Sequence, residues 1–248
     1  MSLPLDLTGS QAVAMAAAVL VAAFVRGYSG FGFSALTIAF AALIADPRAV
    51  MPVVFFCELG MTLLQARGVL RLIDWRRVVV MLAGAVVVMP FSVALLARMG
   101  LDTARLAISG MILLMCGVLL TGWTLRRRIG GPGHFGVGMI SGLCNGAAVG
   151  GLPVAAFLSA QPVAAPVFRA TMIAYLTAID LVALPLFARA GLVTHDTLWA
   201  AALSVPFLIA GLTLGGRHFL AASPQGFRRM AIGLLAVLLL LGLLKSLI

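Results

Sequence analysis

The sequence predicts an all-α protein, a polytopic bundle of membrane-crossing helices built as two inverted repeats, and three observations carry that prediction. First, 63% of the 248 residues are hydrophobic and only 10% charged, with a mean hydropathy of +1.18, well beyond what a soluble core needs. Second, apolar segments recur along the whole chain, and several reach the roughly 20 residues that cross a hydrocarbon core of about 30 Å as helix. Alternating segments of about ten residues, the mark of an outer-membrane barrel, are absent, so the backbone must satisfy its hydrogen bonds inside helices. Third, the same order of short and long segments occurs twice, each time beginning with a glycine-broken pair.

Taken in order, the spans fall at about 10–27, 31–45, 48–66, 76–97, 104–124, 134–148, 150–160, 167–189, 196–216 and 226–246. The segments 31–45 and 150–160 are short. Each joins its predecessor through glycines, "GYSGFG" and "CNGAAVGGLP", where the other spans join through charged loops. Loops holding Arg67, Arg71, Arg76 and Arg77, then Arg126, Arg127 and Arg128, then Arg217, Arg228 and Arg229 belong on the cytoplasmic side. The alternate loops, with Arg98, Asp102 and Arg105 and then Arg189 and Asp196, belong outside, and "DPR" at 46–48 nearly cancels.

With those sides fixed, and each broken pair entering and leaving on one side, the span from 48 runs inward and the span from 167 runs outward. Residues 1–124 and 125–248 then form two transmembrane repeats of opposite orientation within one membrane domain. "ADP" at 45–47 closes the first broken pair as "AQP" at 160–162 closes the second, and the same offset lays Gly27 on Gly142.

The formal charge of +10 would suggest nucleic acid in a soluble protein, but here the arginines sit between apolar runs as topology signals, and no nucleic-acid partner is expected. Cys57, Cys116 and Cys144 lack paired spacing, which gives neither a disulfide framework nor a zinc site; free thiols are expected, with no metal and no cofactor. Residues 1–9 carry Asp6 and no Lys or Arg, so this stretch reads as mature structure rather than a signal peptide. His134, His195 and His218 read as solvated loop residues.

An unwound backbone at membrane depth is tolerated only against protein or a wet cavity, and freed amides at a short helix's N-terminus bind anions. The glycine turns therefore mark a ligand site, although glycines also serve close helix packing. Candidate substrate contacts are Arg26, Tyr28, Ser29, Gly30, Gly32 and Ser34 in the first half, and Ser141, Cys144, Asn145, Gly150 and Gly151 in the second. Arg26 is the foremost of them, because a guanidinium in the bilayer interior costs about 2.5–3.5 kcal/mol and must face a partner or a cavity; its bland alternative is a side chain snorkelling from a helix end. Glu58 and Asp180 lie near the middle of equivalent long spans. Each could carry a coupling ion or neutralise an arginine such as Arg26 or Arg169.

The stretches "RGYSGFGFSAL" and "SGLCNGAAVGGLPVAAFLSAQ" resemble the TauE/SafE sulfite exporter family, also called the toluenesulfonate uptake permeases. The resemblance rests on Gly27, Gly30 and Gly32, then Gly142, Gly146, Gly150, Gly151 and Pro153, and spans nearly the whole chain. It implies transport of small organic or sulfur-containing anions such as sulfite, sulfoacetate or other sulfonates across a bacterial inner membrane. Protons or sodium would serve as coupling ion, the lipid bilayer is the standing partner, and no catalytic residues come with the family. "GFGFSAL" departs from the commoner glycine triplet with a later proline, a difference that bears on the substrate more than on the fold. Three rivals remain: an anion channel, a thiol-based electron conduit using Cys57 and Cys144, and a membrane enzyme, for which the scattered histidines and carboxylates offer no polar cluster.

Overall fold

The computed structural model describes residues 4–120 and 129–221, and the described chain is helical with no strand. Helix α1 (Gly9–Ser29) starts at a capping box in which Thr8 accepts from the Gln11 amide while the Gln11 side chain accepts from the Thr8 amide. It ends at Gly30, whose φ of 84° is open to glycine at little cost and turns the chain back. Gly32, at φ 94°, opens α2 (Phe33–Ile44). Asp46 caps α3 (Pro47–Val69), with Pro47 in the first turn, and the short turn Leu70–Leu72 leads to Asp74, which caps α4 (Trp75–Arg98). There follow α5 (Leu101–Leu120), α6 (Gly131–Asn145), α7 (Gly151–Ser159), α8 (Ala165–Arg189) and α9 (His195–Ala221). The expected span at 226–246 lies outside the described residues, as do Arg126, Arg127, Arg128, Arg228 and Arg229 and the side chains of Arg67 and Cys116.

Several boundaries differ from the sequence expectation by a few residues, the largest at α9, which runs on to Ala221, and two of them bear on the glycine turns. Helix α1 runs on through Arg26, Gly27 and Tyr28, because the Gly27 backbone packs against Leu212 of α9 and a neighbouring helix stabilises what propensity alone would break. Helix α6 stops at Asn145 rather than near 148, and the chain then passes through Ala148 at φ 54°. His134 corrects a third expectation. It lies in the first turn of α6, buried in a T-shaped contact with Phe157, with its ring Nδ1 2.9 Å from the Gly130 carbonyl and its Nε2 without a partner, because α7 packs over this end of α6 and takes the ring out of solvent.

Backbone contacts fix the sense of each helix. Gly211 meets Leu20 and Gly215 meets Phe24, so α1 and α9 run parallel; Gly138 meets Met81 and Gly142 meets Ala85, so α4 and α6 run parallel too. Both seams are lined by glycines whose missing Cβ lets the backbones touch. At one end of the bundle the Gln11 side chain donates to the Ile44 carbonyl, Arg48 to the Met99 carbonyl and Arg105 to the Ala45 carbonyl, at 3.2, 2.8 and 3.0 Å. That end therefore collects the starts of α1, α3 and α5 and the finishes of α2 and α4. At the other end the Asp74 amide donates to Thr171 near the start of α8. Helices that correspond in the two halves, α1 with α6, α3 with α8 and α4 with α9, thus run in opposite directions. The cross-half packing is matched as well, α1 against α9 and α4 against α6, α3 against α9 and α4 against α8, and α3 against its counterpart α8.

Outside these seams the helices present apolar surface. Phe91 is 74% exposed, with Val79, Val87 and Leu95 also exposed on α4 and Leu198, Trp199, Leu203 and Leu214 on α9. In water such a face would drive aggregation, whereas lipid tails solvate it. Five described helices, α1, α3, α4, α8 and α9, are long and apolar enough to cross a membrane. Between the helix ends, Asp46 and Arg48 form a local pair at 2.7 Å. Burial pushes the Asp46 carboxyl up, but hydrogen bonds from the Arg48 side chain and backbone outweigh it and hold the group below its ordinary value, which is the physical content of the self-cancelling "DPR".

Candidate functional site

The last turn of α1 delivers Arg26 into the protein interior. Its side chain is 0% exposed, and it faces Glu58, 1% exposed, across 3.3 Å from Nη1 to Oε1. That distance makes an ion pair, yet Nη1 and Nε donate no hydrogen bond to the protein and Glu58 Oε1 accepts none, so the pair is close but misaligned. Arg26 Nη2 donates to Thr62 Oγ1 at 3.2 Å, and Thr62 in turn lies 2.8 Å from Thr177 Oγ1. Asp180, also buried at 1% exposure, feels both Glu58 and Arg26 and leaves its Oδ2 unpartnered. A rise of 1.5 Å per residue puts Glu58 about 17 Å along α3 and Asp180 about 22 Å along α8, so the cluster sits at mid-depth of both helices.

Around it lie the glycine turns. In the first, Ser29 Oγ is 2.8 Å from the Val25 and Phe31 carbonyls, one of which takes its proton, and it accepts from the Phe31 amide. Tyr28 meets Phe219 edge-on. These two side chains hold the turn and its packing. Behind Gly30 stands α8, because a Cβ at that position would lie 2.9 Å from the Arg169 carbonyl oxygen. The Arg169 guanidinium caps the end of α1, donating to the Gly27 carbonyl from Nε and Nη2 at 3.1 and 2.7 Å, and sits 4.8 Å from the Phe219 ring centre. Ser34 is buried in the first turn of α2, whose N-terminus carries no side-chain cap.

In the second turn Tyr175 of α8 donates to Ser141 Oγ at 2.7 Å, and Ser141 donates to the Gly150 carbonyl at 2.5 Å. Asn145 is buried with its Nδ2 unpartnered. Gly150 packs against Asn145 and Ser141, and Gly151 lies under Leu176, whose Cδ2 would be 2.8 Å from an added Cβ. Both turns therefore rest on α8, one at Arg169 and one at Leu176, about 10 Å apart along the helix. An apolar cavity of about 240 Å³ reaches from Leu5 and Leu7 past Val54 and Ser204 to Phe33 and Cys57, next in sequence to Ser34 and Glu58. Thr37 Oγ1 on its wall has no partner. The charged cluster itself does not line it.

The structure thus brings together Arg26, Glu58 and Asp180, which sequence had placed on separate spans, and shows Arg26 to be enclosed rather than snorkelling. It sets Asn145, Gly150 and Gly151 apart in the other turn. Four participants were missed: Thr62, Thr177, Arg169 as a helix cap, and Tyr175. A signal existed for the threonines, since Thr62 and Thr177 are separated by 115 residues, the offset that relates Gly27 to Gly142. Cys57 and Cys144 are buried free thiols.

This combination defines the class: a polytopic helical membrane protein with opposed halves, two glycine-turn hairpins and a charged group enclosed at mid-depth. Residues 15–242 match the family described as "Sulfite exporter TauE/SafE", and the chain belongs to that family of membrane transporters. No curated protein and no solved structure matches the chain.

Proposed function

We propose that the protein is a secondary transporter that carries small organic or sulfur-containing anions, with sulfite, sulfoacetate and other sulfonates as the leading candidates, across a bacterial inner membrane. Residues 1–124 and 125–248 act as inverted repeats that rock about the Thr62–Thr177 contact and expose the site to each side in turn. The observation that carries this reading is Arg26, a wholly enclosed guanidinium with two nitrogens that donate to nothing in the protein. Such donors are costly unless an acceptor arrives, and a planar fork suits a sulfonate or a carboxylate.

The α2 N-terminus at Gly32 and Ser34, beside Gly30, adds uncapped amides, and Asn145, Gly150 and Gly151 form the matching element of the second half. Glu58 and Asp180 are the ion-coupling groups, for protons or sodium. The protein acts by binding and movement rather than as an enzyme.

The test is a thermal-shift screen of purified protein against sulfite, thiosulfate, sulfonates and carboxylates. A ligand that binds only the folded form raises Tm with its concentration, and Arg26→Ala should abolish that rise. Saturable counterflow in proteoliposomes then separates a carrier from an anion channel, and transport that survives Cys57→Ser with Cys144→Ser removes the electron conduit. If no anion shifts the wild-type protein, the reading fails.

A further inference from the structure

One guanidinium facing two buried carboxyls is an unbalanced set. Arg26 comes from α1, Glu58 and the thiol of Cys57 from α3, and Asp180 and the Tyr175 hydroxyl from α8, with Arg169 further along the same helix at the end of α1. Helix α2 over 33–44 and helix α9 over 197–216 carry no charged residue; His218 of α9 packs on Phe24, away from the cluster. Arg169 is near enough to Arg26 for their like charges to interact, but its guanidinium is held on the Gly27 carbonyl and Asp180 feels Arg26 and Glu58 rather than Arg169. Arg26 is therefore left to neutralise one carboxylate, and these three groups are neutral together only if the carboxyl pair holds one proton. A sodium ion among these oxygens would also sit against the guanidinium, where like charge opposes it.

We propose that an oxyanion and the Glu58 carboxylate compete for the Arg26 guanidinium, and that Glu58 takes one proton from the aqueous phase when it gives up its place. This rests on the anion-carrier reading above and adds the identity and address of the coupling ion. The misaligned 3.3 Å contact supports it. A carboxylate held for stability alone would be expected to accept aligned hydrogen bonds from its guanidinium, whereas this one leaves Arg26 Nε and Nη1 able to receive another acceptor. Thr62 holds Nη2 in place during the exchange. For a monoanion the cluster is neutral in both states: Arg26 against Glu58 with one proton on the pair, then Arg26 against the anion with both carboxyls protonated. The proton and the anion then travel together.

The test is calorimetric titration of the purified wild-type protein with methanesulfonate and with ethanesulfonate, monoanions whose charge does not change between about pH 5.5 and 8.5, in buffers of different ionisation enthalpy. Linkage requires close to one proton taken up per anion bound, and a Kd that weakens with rising pH by up to about tenfold per unit. Glu58→Gln should bind with no proton uptake and a Kd independent of pH, while Asp180→Asn should keep the uptake. Anion binding by wild type without proton uptake overturns the proposal and leaves the carrier reading standing; so does uptake that persists in Glu58→Gln, or an affinity that follows sodium instead of pH. If neither anion binds wild type at any pH, this proposal falls, and the carrier reading is decided by the wider anion screen above. Should Glu58→Gln fail to fold, the wild-type proton count decides alone.

Discussion

Replacing Arg26 by Gln removes the cation that faces two buried carboxyls, and the geometry sets the size of the effect. At 3.3 Å and an effective dielectric of about 20, the Arg26–Glu58 attraction is about 5 kcal/mol. Desolvation of both groups opposes it, and removal of one member of a buried pair commonly costs about 3–5 kcal/mol. We expect Arg26→Gln to cost about 3 kcal/mol. Glu58→Gln should cost less, about 1–2 kcal/mol, because Asp180 remains to face Arg26. The double variant should recover at least half of the summed loss. Reversible unfolding of all four proteins in mixed detergent micelles, followed by circular dichroism, measures the coupling directly. A coupling energy below about 0.5 kcal/mol would mean that the pair is not an energetic unit, and the reasoning from enclosure and distance would be wrong.

Anion affinity should fall in Arg26→Lys, which keeps charge without the planar fork, and fall further, by about 2 kcal/mol or more, in Arg26→Ala; equal affinity in all three proteins would refute a direct contact. Gly138→Leu should loosen the α4–α6 seam by about 3 kcal/mol because its Cβ would meet the Met81 carbonyl oxygen, while Gly136→Ala, with nothing within 4 Å, should change stability by less than about 0.5 kcal/mol. Gly151→Val should fold, since the atoms nearest its Cβ belong to the movable end of Leu176, yet bind the anion at least about tenfold more weakly if the second turn takes part; unchanged affinity would confine the site to the first turn. A cysteine placed near Asp196 should be labelled from the periplasm and one near Arg71 from the cytoplasm, and the reverse pattern at either position would break the proposed topology.

Much of this was legible from local chemistry. Composition fixes the solvent, apolar length fixes the spans, and glycines and capping residues fix where they stop, so helices α2, α3 and α4 lie within a few residues of their expected bounds. Each of those signals is carried by neighbours in sequence, and each acts before any tertiary contact forms. The extension of α1 past Gly27 was not legible, because it depends on the backbone of α9 standing where a side chain would otherwise be. Nor was the burial of His134, which follows from α7 folding back over the start of α6.

The site divides along the same line. The sequence by itself determined that Arg26, Glu58 and Asp180 would be expensive, since a charge inside an apolar span has that cost wherever its partner lies. Only the tertiary structure decided that they meet, that Arg169 caps a helix instead, that Ser29 bonds within the turn and that Tyr28 packs on Phe219 of α9. Pairing is a matter of distances between helices far apart in the chain, and the helix packing that sets those distances is governed by small residues on seams whose partners no single span can name.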